Sequence, residues 1–203
     1  MSADGTTITS ARQLELLEAA YRYVLEHGIT DMSLRPLAAA IGSSPRVLVF
    51  LFGNKDGLVR ALLARARSDE LALLESLGRN SIGESVGLVR AMEEIWNWLS
   101  ADEHRGLLRL WVEAYARSLI EPSGAWAGFA RATVEDWLEV LAESQPREER
   151  NSAAAIADRT VALAVLRGAL LDLLSTGDRR RVDAAIAQGL SLLRARRTDA
   201  EPY

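Results

Sequence analysis

The side chains best suited to specific recognition cluster around one turn of this 203-residue chain, Gly42-Ser43-Ser44. The serine hydroxyls can donate and accept hydrogen bonds, and Arg46 follows close behind them. A guanidinium group can bond O6 and N7 of a guanine at once, which is worth roughly 1 to 3 kcal/mol of discrimination between bases. If these side chains lie on a helix that enters the major groove, they are candidates for hydrogen bonds to base edges; the alternative is that Arg46 is simply solvated on a short surface helix.

Residues that could catalyse a reaction are scarce. The chain has no cysteine, and its two histidines are His27 and His104. Neither histidine belongs to a metal-binding spacing such as HExxH, and no glycine-rich phosphate loop or G-x-S-x-G elbow occurs. His104 follows Asp102 and Glu103, but a solvated helix start explains this group better than an acid–base site. We expect no catalytic residue, no metal ion and no cofactor, so the protein is not predicted to be an enzyme.

Composition favours an all-α protein of the cytoplasm. Hydrophobic residues make up 49% of the chain, and no β-branched run alternates with polar residues over the length of a strand. No apolar run approaches the roughly 20 residues of a membrane helix, and the first ten residues lack the features of a signal peptide. We therefore expect a soluble protein with no membrane partner.

The charge balance requires any nucleic-acid surface to be local. The formal net charge is −4, which argues against a protein coated in cations. A DNA face must then arise from the arrangement of a few basic residues. Arg35, Arg46 and Lys55 are the ones that the predicted helices gather on one side.

Helix signals in the first third predict three short helices and a connector. A first helix from Ser10 to His27 presents six inward residues: Leu14, Leu17, Ala20, Tyr21, Val24 and Leu25. Gly28 ends it, and Ser33 caps a second helix that Gly42 ends. Ser44 and Pro45 begin a third helix, and Asn54 caps the connector that starts at Lys55.

The domain boundaries follow from these signals and from the polar break Gly78 to Gly83. Residues 1–9 are predicted to be a disordered arm and 10–77 a helix-turn-helix DNA-binding domain with its connector. Residues 84–196 are predicted to form a C-terminal helical domain, and 197–203 a flexible tail.

The sequence from Ala11 to Leu71 resembles the N-terminal domain of the TetR/AcrR transcriptional regulators. The match rests on Gly28, Thr30, Ser33, Leu34-Arg35, Leu37-Ala38, Gly42, Leu48, Phe52 and Asn54-Lys55-Asp56-Gly57-Leu58. The resemblance implies a helix-turn-helix joined to a ligand-binding and dimerisation domain. The chain departs from the family at two positions, with Val49 where tyrosine is usual and Phe50 where a polar residue or histidine is usual.

The third helix is expected to enter the major groove. Residues on or beside it are candidates for base contacts, and those around the second and fourth helix starts are candidates for phosphate contacts. The predicted DNA-binding residues are Ser33, Arg35, Ser43, Ser44, Arg46, Val47, Phe50 and Lys55. Val47 or Phe50 is suited to a thymine methyl group.

All five tryptophans lie between residues 96 and 137, which suggests either a thick core or an apolar effector pocket. The resemblance favours the pocket. Its predicted lining is Glu93, Trp96, Asn97, Trp111, Tyr115, Phe129, Thr133, Trp137 and Arg167.

The last two helices carry many small residues, which allow close approach between helices. They are predicted to form a two-fold dimer interface or, alternatively, to pack within the chain. The predicted interface residues are Ala157, Ala164, Gly168, Leu171, Ala185, Gly189 and Leu192.

These expectations together predict a transcriptional regulator. In this hypothesis a homodimer represses by binding a palindromic double-stranded operator, and a small, largely apolar effector releases it. The alternative is a helical protein-binding or scaffold dimer with a weakened DNA-reading surface.

Overall fold

A computed structural model of the chain describes residues 4–79 and 87–200, with side chains over 11–73 and 87–195. These residues form nine α-helices. Their bounds are α1 Asp4–His27, α2 Leu34–Ala40, α3 Pro45–Phe52, α4 Lys55–Arg79, α5 Leu88–Leu99, α6 Arg105–Ile120, α7 Phe129–Glu143, α8 Ala153–Thr176 and α9 Arg179–Ala200. Short 3₁₀ turns precede α6 and α7. The described ranges contain no strand, as the composition predicts.

Two ends of the predicted helices differ from the observed ones. α1 begins at Asp4, so residues 4–9 continue the helix where an arm was expected. The β-branched residues Thr6, Thr7 and Ile8 have weak helix propensity, but extending an existing helix costs far less than nucleating one. α9 likewise continues to Ala200. The predicted break at Gly78 to Gly83 lies outside the described residues from position 80 onward, as do residues 1–3 and 201–203.

The chain divides into two compact units. Unit 1 comprises Met1–Asp69 and Gly106–Ala132, and unit 2 comprises Glu70–Arg105 and Thr133–Tyr203. The sequence grouped everything from residue 84 to 196 as one domain, whereas residues 106–132 pack with the N-terminal helices. Sequence periodicity identifies a helix and its apolar face but not which neighbour covers that face.

The core of unit 1 is built on one stripe of α1. Leu16, Ala20 and Val24, spaced by four residues, are at most 2% exposed. Each fully buried leucine stabilises the fold by roughly 1.5 to 3 kcal/mol. Leu14 was predicted to face inward, but it is 59% exposed. It lies two residues from Leu16, which places it about 200° around the helix, on the opposite face.

The connection between α2 and α3 has the geometry of a helix-turn-helix. The two helices meet at a bend of 103°, within the range of about 90–120° typical of this motif. Gly42 has φ of +65°, and the N–H groups of Gly42 and Ser43 donate to the carbonyls of Ala39 and Ala38. This is a Schellman C-cap, which requires a left-handed residue that glycine supplies without strain.

No single described helix is long and apolar enough to cross a membrane. The pair α2 and α3 meets the length and composition criteria only when the two bent helices are taken together.

Unit 2 is held together by contacts among α5, α8 and α9. The indole Nε1 of Trp96 donates to Asp183 at 2.8 Å, and the guanidinium of Arg179 donates to the Ser100 carbonyl at 2.7 Å. The same helices contribute Met92 and Ile95 of α5 and Leu166 of α8 to the core, and these residues are at most 1% exposed. The packing within unit 2 thus uses large apolar and polar side chains, whereas most of the small residues singled out on α8 and α9 are exposed.

Candidate nucleic-acid interface

The outward face of α3 is exposed and consists of one arginine with apolar residues. Leu48 points into the core and is 1% exposed, whereas Phe50 is 78% exposed. At 100° per residue, Arg46 and Phe50 lie about 160° and 200° from Leu48, so both point directly away from the core. Val47 and Val49 flank them and are 38% and 41% exposed. Consecutive helical residues point about 100° apart, so Val49, Phe50 and Leu51 cannot all face the core, and Phe50 is the most exposed of them.

The start of α3 is fixed by the two residues predicted to begin it. The Ser44 hydroxyl accepts a hydrogen bond from the Val47 N–H at 3.3 Å, and Pro45 occupies the first helical turn. This cap leaves the hydroxyl of Ser44 able to donate outward.

The hydroxyl of Ser43, in contrast to that of Ser44, does not face outward. Its Oγ is buried and has no hydrogen-bond partner among the residues that the structure describes, while its backbone N–H completes the cap of α2. The side chain turns inward because the left-handed Gly42 redirects the chain just before it. Ser43 therefore belongs to the support of the turn and not to the exposed face of α3.

Three basic or polar side chains next to the turn are exposed and have no side-chain partner in the described parts of the chain. Ser33 occupies the N-cap position of α2 but makes no side-chain cap hydrogen bond. Arg35 and Lys55 are exposed at the starts of α2 and α4. Neither of them, nor Arg46, forms an ion pair with a residue that the structure describes.

The start of α4, where Lys55 lies, is fixed by a side-chain cap and by close packing of Gly57 against the end of α3. The Asn54 Oδ1 accepts from the Gly57 N–H at 2.8 Å, as predicted for the cap of α4. A Cβ atom at Gly57 would lie 1.9 Å from the Phe52 carbonyl oxygen. Only glycine fits there, which accounts for one residue of the Asn54–Leu58 motif.

The position of α3 is fixed to α1 by a side chain that the sequence did not single out. Gln13 on α1 donates from Nε2 to the Leu51 carbonyl at 2.9 Å, across 38 residues of sequence. Because that carbonyl lies in the last turn of α3, it lacks an intrahelical partner. The bond satisfies it and ties the end of α3 to the core helix.

The loop between α1 and α2 is supported from α6 by a carboxylate. Glu113 accepts hydrogen bonds from the N–H groups of Ile29 at 2.8 Å and Thr30 at 3.4 Å. At the start of the same helix, a Cβ at Gly106 would lie 2.9 Å from the Leu25 carbonyl oxygen. α6 thus packs against the end of α1 and fixes the loop that leads into α2. No local sequence signal marks Glu113, because its partners lie more than 80 residues away.

A polar network joins α1 to α4. Arg65 donates to Glu18 at 2.6 Å and also pairs with Asp69, which accepts from the Tyr21 hydroxyl at 2.8 Å. The guanidinium lies 4.8 Å from the centre of the Tyr21 ring. Burial and the hydrogen bond to Asp69 raise the pKa of Tyr21 above its ordinary range.

The predicted effector residues are divided between the two units. Trp111 and Phe129 are buried in unit 1, where Tyr115 is half-buried. In unit 2, Trp96, Trp137 and Thr133 are buried, Glu93 and Arg167 are half-buried, and Asn97 is exposed.

Three of the polar groups in unit 2 differ in what they can offer a ligand. Glu93 pairs with Arg194, and the Trp137 indole donates to the fully buried Glu70. The Thr133 hydroxyl is buried without a hydrogen-bond partner in the described part of the chain. Unsatisfied buried hydroxyls are costly, so Thr133 is the group here with unused hydrogen-bonding capacity.

The predicted interface residues on α8 and α9 are mostly exposed. Leu171 and Leu192 are 49% and 59% exposed, and a Cβ at Gly168 would meet no described atom within 4 Å apart from its own stretch of helix. Gly189 differs, because a Cβ there would lie 3.3 Å from Val165 Cγ1 on α8. Gly189 therefore serves the contact between α8 and α9 within one chain.

No group of three or more His, Cys, Asp or Glu side chains within the two described ranges is arranged to hold a metal ion.

Comparison with known proteins finds a family model that matches part of the N-terminal region. Residues 16–62 match the family model described as bacterial regulatory proteins, tetR family. Over 98 residues the chain is 34% identical to the HTH-type transcriptional repressor AcnR of Corynebacterium glutamicum. This alignment covers 48% of this chain and 50% of AcnR. The chain thus aligns with about half the length of the curated relatives it matches.

Solved structures match nearly the whole chain at low identity. A TetR transcription regulator from Haloarcula marismortui has a TM-score of 0.71 at 17% identity, covering 92% of this chain and 98% of its own. The multidrug binding protein EbrR complexed with imidazole has a TM-score of 0.64 at 23% identity, covering 90% and 89%. At these identities the likeness shows the fold, and it confirms the all-α arrangement of an N-terminal helix-turn-helix followed by a helical domain.

Proposed function

We propose that this chain, whose residues 16–62 match the family model of the tetR bacterial regulatory proteins, is a DNA-binding transcriptional repressor of that family. It acts in the cytoplasm and performs no catalysis. Its relatives named as transcriptional repressors support this assignment for the aligned half.

One observation carries the proposal: Arg46 is exposed on the face of α3 opposite its buried residue and forms no ion pair with any described residue, on a helix that meets α2 at 103°. A short helix held this way fits the major groove, and its N-terminal residues then face base edges. Arg46 is the second residue of α3, so it meets the bases first. It is the residue assigned to a guanine.

Exposed groups near the turn between α2 and α3 make the proposed phosphate contacts. Arg35 and Lys55 form no ion pair with any residue that the structure describes, and Ser33 has a hydroxyl that makes no cap hydrogen bond to its own helix. The hydroxyl of Ser44 can donate to the backbone while it accepts the cap bond. These contacts fix the position of α3, and Arg46 supplies base discrimination.

A homodimer gives the repressor enough sequence to read. One eight-residue helix contacts few base pairs, and a two-fold pair of such helices reads a palindrome. The exposed residues of α8 and α9, among them Ala157, Ala164, Gly168, Leu171 and Leu192, form the proposed interface.

Release by a small, largely apolar molecule completes the proposed cycle. EbrR, which shares the fold, is named as a multidrug binding protein and was solved with imidazole and with proflavin. In this chain the buried Thr133 hydroxyl and the neighbouring Trp137 ring offer one polar and one aromatic contact. An effector acts by favouring a dimer geometry that no longer fits adjacent grooves, in proportion to its differential affinity for the two geometries.

A second function is favoured by one observation, the 78% exposure of Phe50 beside Val49. A protein-binding or scaffold dimer would use this apolar face for a partner protein. Such a protein has no DNA affinity, whereas a repressor that contacts several phosphates loses affinity steeply as salt rises.

The test compares Arg46→Ala with Arg22→Ala, another exposed arginine of unit 1 that lies on α1. Both are assayed by fluorescence anisotropy on DNA enriched by the protein from a random pool, at several salt concentrations. We expect Arg46→Ala to lose about 1 to 3 kcal/mol of binding to the enriched DNA and to keep its binding to unrelated DNA. Arg22→Ala should match the wild type on both DNAs. Equal affinities of wild type and Arg46→Ala for the enriched DNA would refute the assignment.

A further inference from the structure

Phe50 is a large, solvent-exposed apolar side chain on α3, the helix proposed to contact DNA bases. Its 78% exposure exceeds that of Val47 and Val49 on the same helix. We propose that Phe50 is a specificity-determining residue that contacts the 5-methyl group of a thymine, next to the guanine bound by Arg46. This inference rests on the proposed DNA-binding function.

Helix geometry puts Phe50 and Arg46 on one line. Four residues along a helix turn it by 400°, so the two side chains differ by about 40° in direction and by about 6 Å along the axis. Base pairs are spaced at about 3.4 Å along each strand. The two side chains therefore reach bases that are one or two steps apart in the same groove.

The chemistry of the major groove leaves one partner for Phe50. Base edges there present hydrogen-bond donors and acceptors, and the thymine methyl is the apolar group among them. A phenyl ring has no hydrogen-bonding capacity, so against any other base edge it would desolvate polar groups without compensation. A thymine at this position buries the exposed ring against a methyl group.

Charge complementarity favours DNA over a protein as the cover of this face. Arg46 on the same line, and Arg35 and Lys55 around it, are exposed and have no acidic partner among the residues the structure describes. A partner protein would have to be strongly acidic around an apolar centre. The phosphate backbone supplies that charge on both sides of the groove.

The experiment replaces single thymines by uracil in the enriched DNA, which removes the methyl group and leaves base pairing intact. We expect one thymine position in each half-site, one or two base pairs from the essential guanine, at which uracil weakens wild-type binding about fourfold, the effect of exposing one methyl-sized group. Phe50→Ala should bind thymine and uracil versions equally. Leu14→Ala, which removes another exposed apolar side chain of the same unit, should discriminate as the wild type does.

A cytosine arm isolates the methyl group from the rest of the base. At the same position, 5-methylcytosine should bind the wild type more tightly than cytosine by a similar factor, and Phe50→Ala should not distinguish them.

The outcomes separate the two claims. If no DNA is enriched from the pool, the proposed function itself fails. If DNA is enriched and Arg46→Ala weakens its binding, but every uracil substitution is silent in the wild type, the Phe50 inference alone is overturned. Discrimination that persists in Phe50→Ala overturns it as well, because another residue then contacts the methyl group.

Discussion

Ser33 and Asn54 occupy equivalent positions, each immediately before a helix, but only one of them caps its helix with a side chain. Asn54 accepts a hydrogen bond from the Gly57 N–H, and Ser33 makes no cap bond. Serine and asparagine are both favoured at the N-cap, so the sequence alone predicts a capping role for each of them. The structure separates a stabilising side chain from one that is available to a ligand.

This contrast predicts opposite effects of two alanine substitutions. Asn54→Ala should lower the free energy of unfolding by about 1 kcal/mol, because the first turn of α4 loses its cap. Ser33→Ala should leave stability nearly unchanged and weaken DNA binding, because a phosphate contact is lost. Urea unfolding followed by circular dichroism measures the first effect and anisotropy the second. A Ser33→Ala protein that is destabilised as much as Asn54→Ala would contradict the assignment.

At the scale of helices, α6 supports the loop between α1 and α2 through Glu113. Its carboxylate satisfies the N–H groups of Ile29 and Thr30, which have left α1 and not yet entered α2. Hydrogen bonds to a charged group contribute about 1.5 to 3 kcal/mol, and an unsatisfied buried N–H is costly. The loop that aims α2 and α3 thus depends on a helix far away in sequence.

Glu113→Ala should therefore destabilise unit 1 by about 1 to 3 kcal/mol and accelerate hydrogen exchange of the Ile29 amide. Glu113→Gln keeps an acceptor oxygen and should retain part of the protection. Hydrogen exchange resolved by residue is the appropriate measurement. Unchanged protection of Ile29 in Glu113→Ala would show that the carboxylate does not hold the loop.

The same scale shows which parts of the fold a sequence can predict. The caps at Ser44 and Asn54 and the turn at Gly42 were predicted correctly, because each depends on residues within five positions along the chain. The inward face of α1 was predicted correctly at Ala20, Tyr21 and Val24 but not at Leu14. Glu113 and Gln13 were missed, because their partners are set by tertiary packing.

At the scale of the whole molecule, the proposed dimer depends on a face that one chain leaves uncovered. Leu171 and Leu192 remain about half exposed, whereas Leu166 and Leu190, on the same two helices, are nearly buried. The sequence supplied the small residues but could not distinguish an interface with a second copy from packing within the chain. Burial assigns Gly189 to the contact between α8 and α9 within one chain, and the exposed residues of these helices remain the proposed interface.

The double variant Leu171→Arg, Leu192→Arg should be a folded monomer. Charges buried in a dimer interface without partners cost several kcal/mol, whereas both positions are exposed in a single chain. Leu119→Arg, at a residue 66% exposed outside α8 and α9, is the matched control and should stay dimeric. Sedimentation equilibrium measures the difference. A double variant that remains a dimer would place the interface elsewhere.

The central claim is that two copies of this chain read DNA through α3, and selection of bound DNA from a random pool tests it most directly. We predict a palindromic consensus with a guanine and a thymine in each half, and half-site centres separated by about 10 base pairs or a multiple of that spacing. Enrichment of a single asymmetric site would contradict the dimeric reading. If no sequence is enriched at low salt, the claim that this chain reads DNA is contradicted.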